Sequence, residues 1–171
     1  AIRVQHIVKA AKSSIGSFYA RFEDKDALLQ TLHQRFCADV IETSKQFVTS
    51  DAQAGDLRTL LGLFCELMLS DIRERPGLRR AFLIARPLNE HFQSRTHTVD
   101  AHLIATLVAA MQPVKDEIAH DDVEKAIAFA FEMANALAEY RLLYGVEQDY
   151  GPSFHASMVH SLHSYLTQAP K

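Results

Sequence analysis

The stretch Val4–Phe22, VQHIVKAAKSSIGSFYARF, constrains this chain more than any other. Val4, Ile7, Val8 and Ala11 recur at spacings of three and four, the inward face of a short amphipathic helix, with Gln5, His6 and Lys9 outward. Lys12-Ser13-Ser14 breaks the pattern. A serine accepts hydrogen bonds from the free amides of a new helix, so Ser14 is the expected N-cap of a second short helix over Ile15–Arg21. Neither helix is long enough to persist alone, so the two must pack across the turn as a helix-turn-helix.

Gly16, the second residue of that second helix, costs helix stability. What it offers in return is close approach of the backbone to another surface. The amides and positive dipole end of the helix favour an anion such as phosphate there, and Ser17 and Tyr19 add hydroxyls. Lys25 opens the next helix, where dipole logic disfavours a cation unless an anion from a partner lies nearby.

The longer run IVKAAKSSIGSFYARFEDKDALL resembles the DNA-binding signature of the TetR family of bacterial transcriptional regulators. The residues in register are Ile7, Ala11, Ser14, Gly16, Phe18, Tyr19, Phe22, Lys25, Leu28 and Leu29. Three positions depart from the pattern. Val8 stands where the family has Ala, Lys12 where a turn Gly is usual, and Ile15 where a basic or polar residue often begins the recognition helix. Lys12 in place of that Gly implies either a non-glycine residue near the left-handed region, mildly strained, or a slightly altered turn. Ile15 suits a thymine methyl better than a polar base edge.

The resemblance implies a DNA-contacting set of Arg3, Ser13, Ser14, Gly16, Ser17, Tyr19, Arg21 and Lys25. In it Ser14 caps the helix, Gly16 permits close approach, Ser17 and Tyr19 make groove and backbone contacts, and Arg3, Arg21 and Lys25 meet phosphates. Ile7, Ala11, Phe18 and Phe22 are expected in the core of the head. The resemblance also implies a one-component repressor, without cofactor, that binds palindromic double-stranded operator DNA as a homodimer and is released by a small-molecule effector. A further helix is expected ahead of the motif, upstream of a chain that opens at Ala1.

The formal net charge of -3 does not by itself suit a nucleic-acid partner, but its distribution does. Residues 1–25 carry five basic and two acidic side chains, a balance of +3, which leaves -6 for the remainder. The positive end is the helix-turn-helix end. Cys37 and Cys65 are too few and too far apart for a disulfide framework or a zinc knuckle, and both are expected as buried thiols. No signal peptide or membrane-spanning apolar run is present, so a cytoplasmic location is expected.

Beyond the motif, helical spacing recurs to the end of the chain, and with 48% hydrophobic residues and no Trp the expected class is all-α. The head, 1–48, includes a long connecting helix capped by Asp24. That helix carries Leu28, Leu29, Leu32, Phe36, Val40, Ile41 and Phe47 to about Val48. Thr49–Gly55 reads as a loop, and 49–171 as a helical-bundle body for ligand binding and dimerisation. In it Asp56 caps a helix ending at Arg75-Pro76, a short helix lies between Pro76 and Pro87, and another runs from Leu88 to Met111, ended by Pro113. Asp121-Asp122 caps a helix over Val123–Tyr144 closed by Gly145, and Gly151-Pro152 opens the last, Ser153–Leu166.

The alanines at 126, 128, 130, 134, 136 and 138 let backbones approach closely, so the last two helices suit pairing with a second copy in a four-helix bundle. The resemblance implies the same homodimer. A ligand cavity among the helices of the body is expected to use Phe64, Met68, Phe82, Leu103, Phe131 and Met133, with Arg86 or His102 orienting a polar group. Of nine histidines, His160 and His163 share a helix face, but no Cys or carboxylate joins them at ligand spacing and no metal is expected. No phosphate loop, nucleophile elbow or HExxH motif points to an enzyme. The competing reading is an all-helical small-molecule-binding protein that no longer binds DNA.

Overall fold

The computed structural model describes residues 3–49, 55–144 and 150–168, and the side chains of all of these except 46–49. Among them are eight α-helices and no strand. The helices are α1 (Val4–Ala10), α2 (Ile15–Tyr19), α3 (Lys25–Thr49), α4 (Leu57–Glu74), α5 (Pro76–Ala85), α6 (Glu90–Met111), α7 (Val123–Tyr144) and α8 (Pro152–Thr167).

Their starts follow from side chains that satisfy free amides. Ser14 Oγ accepts from the Ser17 amide at 3.0 Å, Asp24 Oδ1 from Ala27 at 2.8 Å, Asp56 Oδ1 from Thr59 at 2.8 Å and Asp122 Oδ1 from Lys125 at 3.1 Å. Pro76 and Pro152 occupy first helical positions, where their missing N–H costs nothing.

Two apolar cores result. The larger joins α4, α7 and α8 with the C-terminal part of α6, and α4 packs chiefly on α8. Leu57, Leu60, Leu61, Leu69 and Ile72 of α4 are shut off from solvent, each contributing about 1.5–3 kcal/mol by burial. The smaller core sits between α3, α5 and the start of α6, around Phe36, Cys37, Phe82, Phe92 and Val99. Leu103 touches both.

The long helix α3 is thus one wall of the second core rather than a bare connector. A division at residue 48 separates it from α5 and α6, the elements it packs against. No described helix is long and apolar enough to cross a membrane.

Several boundaries differ from the sequence expectation. α2 ends at Tyr19 instead of Arg21, because the Arg21 amide turns back to the Phe18 carbonyl at 3.0 Å. α6 begins at Glu90, since Asn89 Oδ1 caps the amides of His91 and Phe92. Leu88 stands before it in a 3₁₀ turn, 82% exposed. Pro113 does not stop the chain turning; a 3₁₀ segment over Gln112–Glu117 follows α6. Ala11 is exposed, because it caps the end of α1 and no described residue covers it, whereas Phe18 is buried and Phe22 half-buried. The expected loop residues 50–54, the Gly145 cap and the Phe47 side chain lie outside the described residues.

The alanines of α7 divide by face. Ala126, Ala130, Ala134 and Ala138, four apart, are buried within the chain's own core, Ala128 is half-buried and Ala136 exposed. Close approach of backbones at the first four is therefore intramolecular. The outward side of α7 instead carries Phe129, Leu137, Tyr140 and Tyr144, each more than two-fifths exposed.

Candidate functional site

Two regions gather the residues singled out by sequence. In the helix-turn-helix, Lys12 has φ 50, the one non-glycine residue in the left-handed region among those described. That conformation reverses the chain between α1 and α2 and costs about 1–2 kcal/mol for an L side chain. The Ser13 amide returns to the Val8 carbonyl at 2.8 Å and closes the turn. Phe18 then anchors α2 inward, its ring meeting Phe22 at 5.6 Å and the edge of Tyr19 at 5.2 Å.

With Phe18 facing in, the rest of α2 faces out. Arg3, Ser13, Ser14, Gly16, Ser17, Tyr19, Arg21 and Lys25 are all exposed, as is Ile15 at 46% and Tyr19 at 56%. A Cβ added at Gly16 meets only Ser14 Oγ, at 3.8 Å, so nothing within the described chain requires glycine there. Any steric reason for it lies on the solvent side.

The second region is a cavity of about 370 Å³ between the two cores, within the size range of small-molecule sites. α3 contributes His33, Phe36, Cys37, Val40 and Ser44; α5 contributes Arg79, Phe82 and Leu83; α6 contributes Val99, Asp100, Leu103 and Leu107. Phe64, Met68, Asp71 and Glu74 of α4 and Phe131, Asn135 and Glu139 of α7 also line it, as do Asp39 of α3, Arg75 between α4 and α5, and Arg86 after α5. The α7 residues are four apart and so share one face.

Six of the eight residues expected from sequence line this cavity: Phe64, Met68, Phe82, Arg86, Leu103 and Phe131. Met133 does not. Two residues beyond Phe131 it points to roughly the opposite side of α7, where it is half-buried against the larger core. His102 does not line it either. Its Nε2 lies 3.1 Å from Ser44 Oγ, whose own hydrogen goes to the Ile41 carbonyl at 2.7 Å, so the imidazole N–H is the donor and ties α6 to α3 behind the cavity wall.

Of the cavity's charged wall the sequence reading named only Arg86. Arg86 forms a two-pronged pair with Glu139, Nη1 to Oε1 at 3.0 Å and Nη2 to Oε2 at 2.9 Å. Asp71 is shared. Its Oδ1 accepts from Arg75 at 2.7 Å, while Arg79 Nε stands 3.4 Å from its Oδ2 and, though buried, makes no hydrogen bond. The Arg79 guanidinium lies over the Phe36 ring, 4.6 Å from its centroid. Burial lowers the Arg79 pKa, opposed by Asp71 and Glu139. Burial likewise raises that of Asp100, opposed mainly by Arg86. A spacing signal did exist, since Arg75, Arg79, Phe82, Leu83 and Arg86 share one helical face.

His33 and Cys37 form the cavity's quiet corner. The His33 ring stacks on Phe92 at 4.4 Å and its Nε2 is 3.6 Å from Cys37 Sγ. Burial, then the charges of Arg95 and Arg79, push the imidazole pKa down to about 4, and burial raises that of the thiol. The pair is therefore neutral at physiological pH. Cys65, also free and buried, is pushed up to about 12.

The histidines of α8 are dispersed. His155 Nε2 donates to the Gly62 carbonyl at 2.9 Å, Arg58 donates to His163 Nδ1 at 3.3 Å, and His160 is exposed. Comparison of the chain with family models, with curated proteins and with solved structures returns no match.

Proposed function

We propose that this protein is a TetR-like transcriptional regulator, a repressor that binds near-palindromic operator DNA as a homodimer and is released by a small molecule in the cavity between its two cores. The observation that carries this reading is the continuity of α3. It begins six residues after the end of α2, whose exposed face bears Ile15, Gly16, Ser17 and Tyr19, and it then lines the cavity through His33, Phe36, Cys37, Val40 and Ser44. A molecule that wedges against α3 acts on the element that carries the DNA-contacting helix, and a coupling of about 1–3 kcal/mol is enough to switch occupancy.

The outward apolar side of α7, with Phe129, Leu137, Tyr140 and Tyr144, supports pairing with a second copy through the last two helices. Two copies present two α2 helices, which reach successive major grooves about 34–36 Å apart or a multiple of that. The +3 balance of the first 25 residues supports the phosphate contacts.

Selection from a randomised duplex pool tests the reading. Enrichment of a two-fold-related pair of half-sites is expected. A pool that stays random while the protein remains folded and dimeric shifts the assignment to a small-molecule-binding protein without a DNA function.

A further inference from the structure

The outward face of α2 carries few groups that read bases by hydrogen bonding. Of Ser13–Ala20 only Phe18 is buried, and none is Arg, Lys, Asn, Gln, Asp or Glu, the side chains that select among base edges most sharply. The Ser14 hydroxyl is engaged inside the turn, donating to Ser17 Oγ at 3.0 Å and accepting from the Ser17 amide at 3.0 Å. A serine hydroxyl such as that of Ser17 serves either kind of base edge. What remains is apolar bulk. Ile15 is 46% exposed, beside a Gly16 whose added Cβ meets only Ser14 Oγ at 3.8 Å. Tyr19 lies one turn further on, its ring in an edge contact with Phe18 at 5.2 Å.

The charge around this face selects its occupant. Residues 1–22 include Arg3, Lys9, Lys12 and Arg21 and no carboxylate side chain, which suits a polyanion. In the major groove of duplex DNA, the apolar feature of the base edges is the C5 methyl of thymine. Ile15 against that methyl removes two apolar surfaces from water. Against a purine edge, or the amino group of cytosine, it takes water from a polar atom and returns no hydrogen bond. The chain thus presents a methyl reader where the TetR pattern often has a basic or polar residue, and Gly16 leaves room beside it for the base pair.

We propose that Ile15 reads one position in each operator half-site through the C5 methyl of a pyrimidine. Thymine and 5-methylcytosine are accepted there, and their unmethylated counterparts, uracil and cytosine, are disfavoured. This rests on the DNA-binding reading proposed above and adds the chemical group that is recognised.

The test uses the full-length protein and a duplex recovered from the randomised pool, with affinity read by fluorescence anisotropy. Each thymine of the half-site is replaced in turn by deoxyuridine, which removes one methyl and no hydrogen-bonding group. At one position the loss is expected to be about fourfold for each half-site replaced, the worth of one buried methyl carbon. At that same position 5-methylcytosine is expected to bind more tightly than cytosine by the same factor. Ile15→Ala is expected to bind the thymine and uracil duplexes equally. The two methyl comparisons on the unaltered protein decide the matter even where that variant fails to fold. Selective binding that no uracil replacement weakens overturns the methyl reading and leaves the regulator intact. A uracil effect that persists in a folded Ile15→Ala overturns the role of Ile15. Failure to recover any preferred duplex overturns the regulator reading, and this inference with it.

Discussion

Arg86 and Glu139 join the 3₁₀ turn after α5 to α7 through two parallel hydrogen bonds of 3.0 and 2.9 Å, at the edge of the cavity that α3 also lines. Both side chains are partly reached by water, at 35% and 21% exposure, so the pair is worth less than a fully buried one. Glu139→Gln keeps the shape and removes the charge. It is expected to lower unfolding free energy by about 1–2 kcal/mol. Chemical denaturation of both proteins checks this, and equal midpoints show that the pair is neutral to stability.

His33 makes folding pH-dependent. Its pKa is about 4 in the folded chain against 6.5 in the unfolded one, so below pH 6.5 the unfolded state binds the extra proton. The stability that the neutral ring contributes is fully present above pH 6.5 and is lost as the pH falls towards 4. The loss is about 2–3 kcal/mol. Denaturation curves across that window are expected to show this slope in the unaltered chain, and a His33→Gln variant is expected to lack most of it.

Lys12→Gly removes the strain at φ 50 and is expected to raise stability by up to about 1 kcal/mol. The gain appears as a higher denaturation midpoint. A loss of stability instead means that the aliphatic stem of Lys12 contributes more than its backbone costs.

Gly16→Ala separates the fold from its partner. The added methyl meets only Ser14 Oγ at 3.8 Å, and alanine favours a helix over glycine by about 0.5–1 kcal/mol, so stability is expected to hold or rise. On the proposed function DNA affinity is expected to fall, because the methyl would occupy the side of α2 assigned to the duplex. Unchanged affinity removes Gly16 from the contact surface.

Leu137→Glu and Tyr140→Glu place charges on the outward side of α7, where both residues are exposed in the single chain. Folding is expected to survive and self-association to be lost, as read by sedimentation velocity. A dimer that persists in both variants places the interface elsewhere.

What the sequence made legible was much of what local rules set, although the Asn89 cap of α6 and the 3₁₀ segment through Pro113 were not read. The caps Ser14, Asp24, Asp56 and Asp122 and the proline starts at Pro76 and Pro152 follow from short-range backbone chemistry, and the structure has them where expected; of the two alternatives that the resemblance left at Lys12, the structure has the left-handed one. Apolar periodicity placed Phe64, Met68, Phe82, Leu103 and Phe131 inward but did not say which inward residues meet empty space. That depends on how helices cross. The same limit explains Met133, apolar but on the wrong side of α7, and Arg79, Asp100 and Glu139, charged residues on inward faces that a pattern of apolar positions passes over. It also explains the alanines of α7, whose spacing shows that something packs closely on them but not whether the partner is this chain or a copy.

The most direct measurement is binding of the chain to its own promoter region at several salt concentrations, alongside Tyr19→Phe and Lys25→Ala. The account predicts sequence-selective binding whose logarithm falls linearly with the logarithm of salt, with a slope of about 0.9 per phosphate contact. Tyr19→Phe weakens binding to every sequence, and Lys25→Ala also lowers that slope by about one per half-site. Binding no tighter than to unrelated duplex, by a folded dimer, contradicts the account.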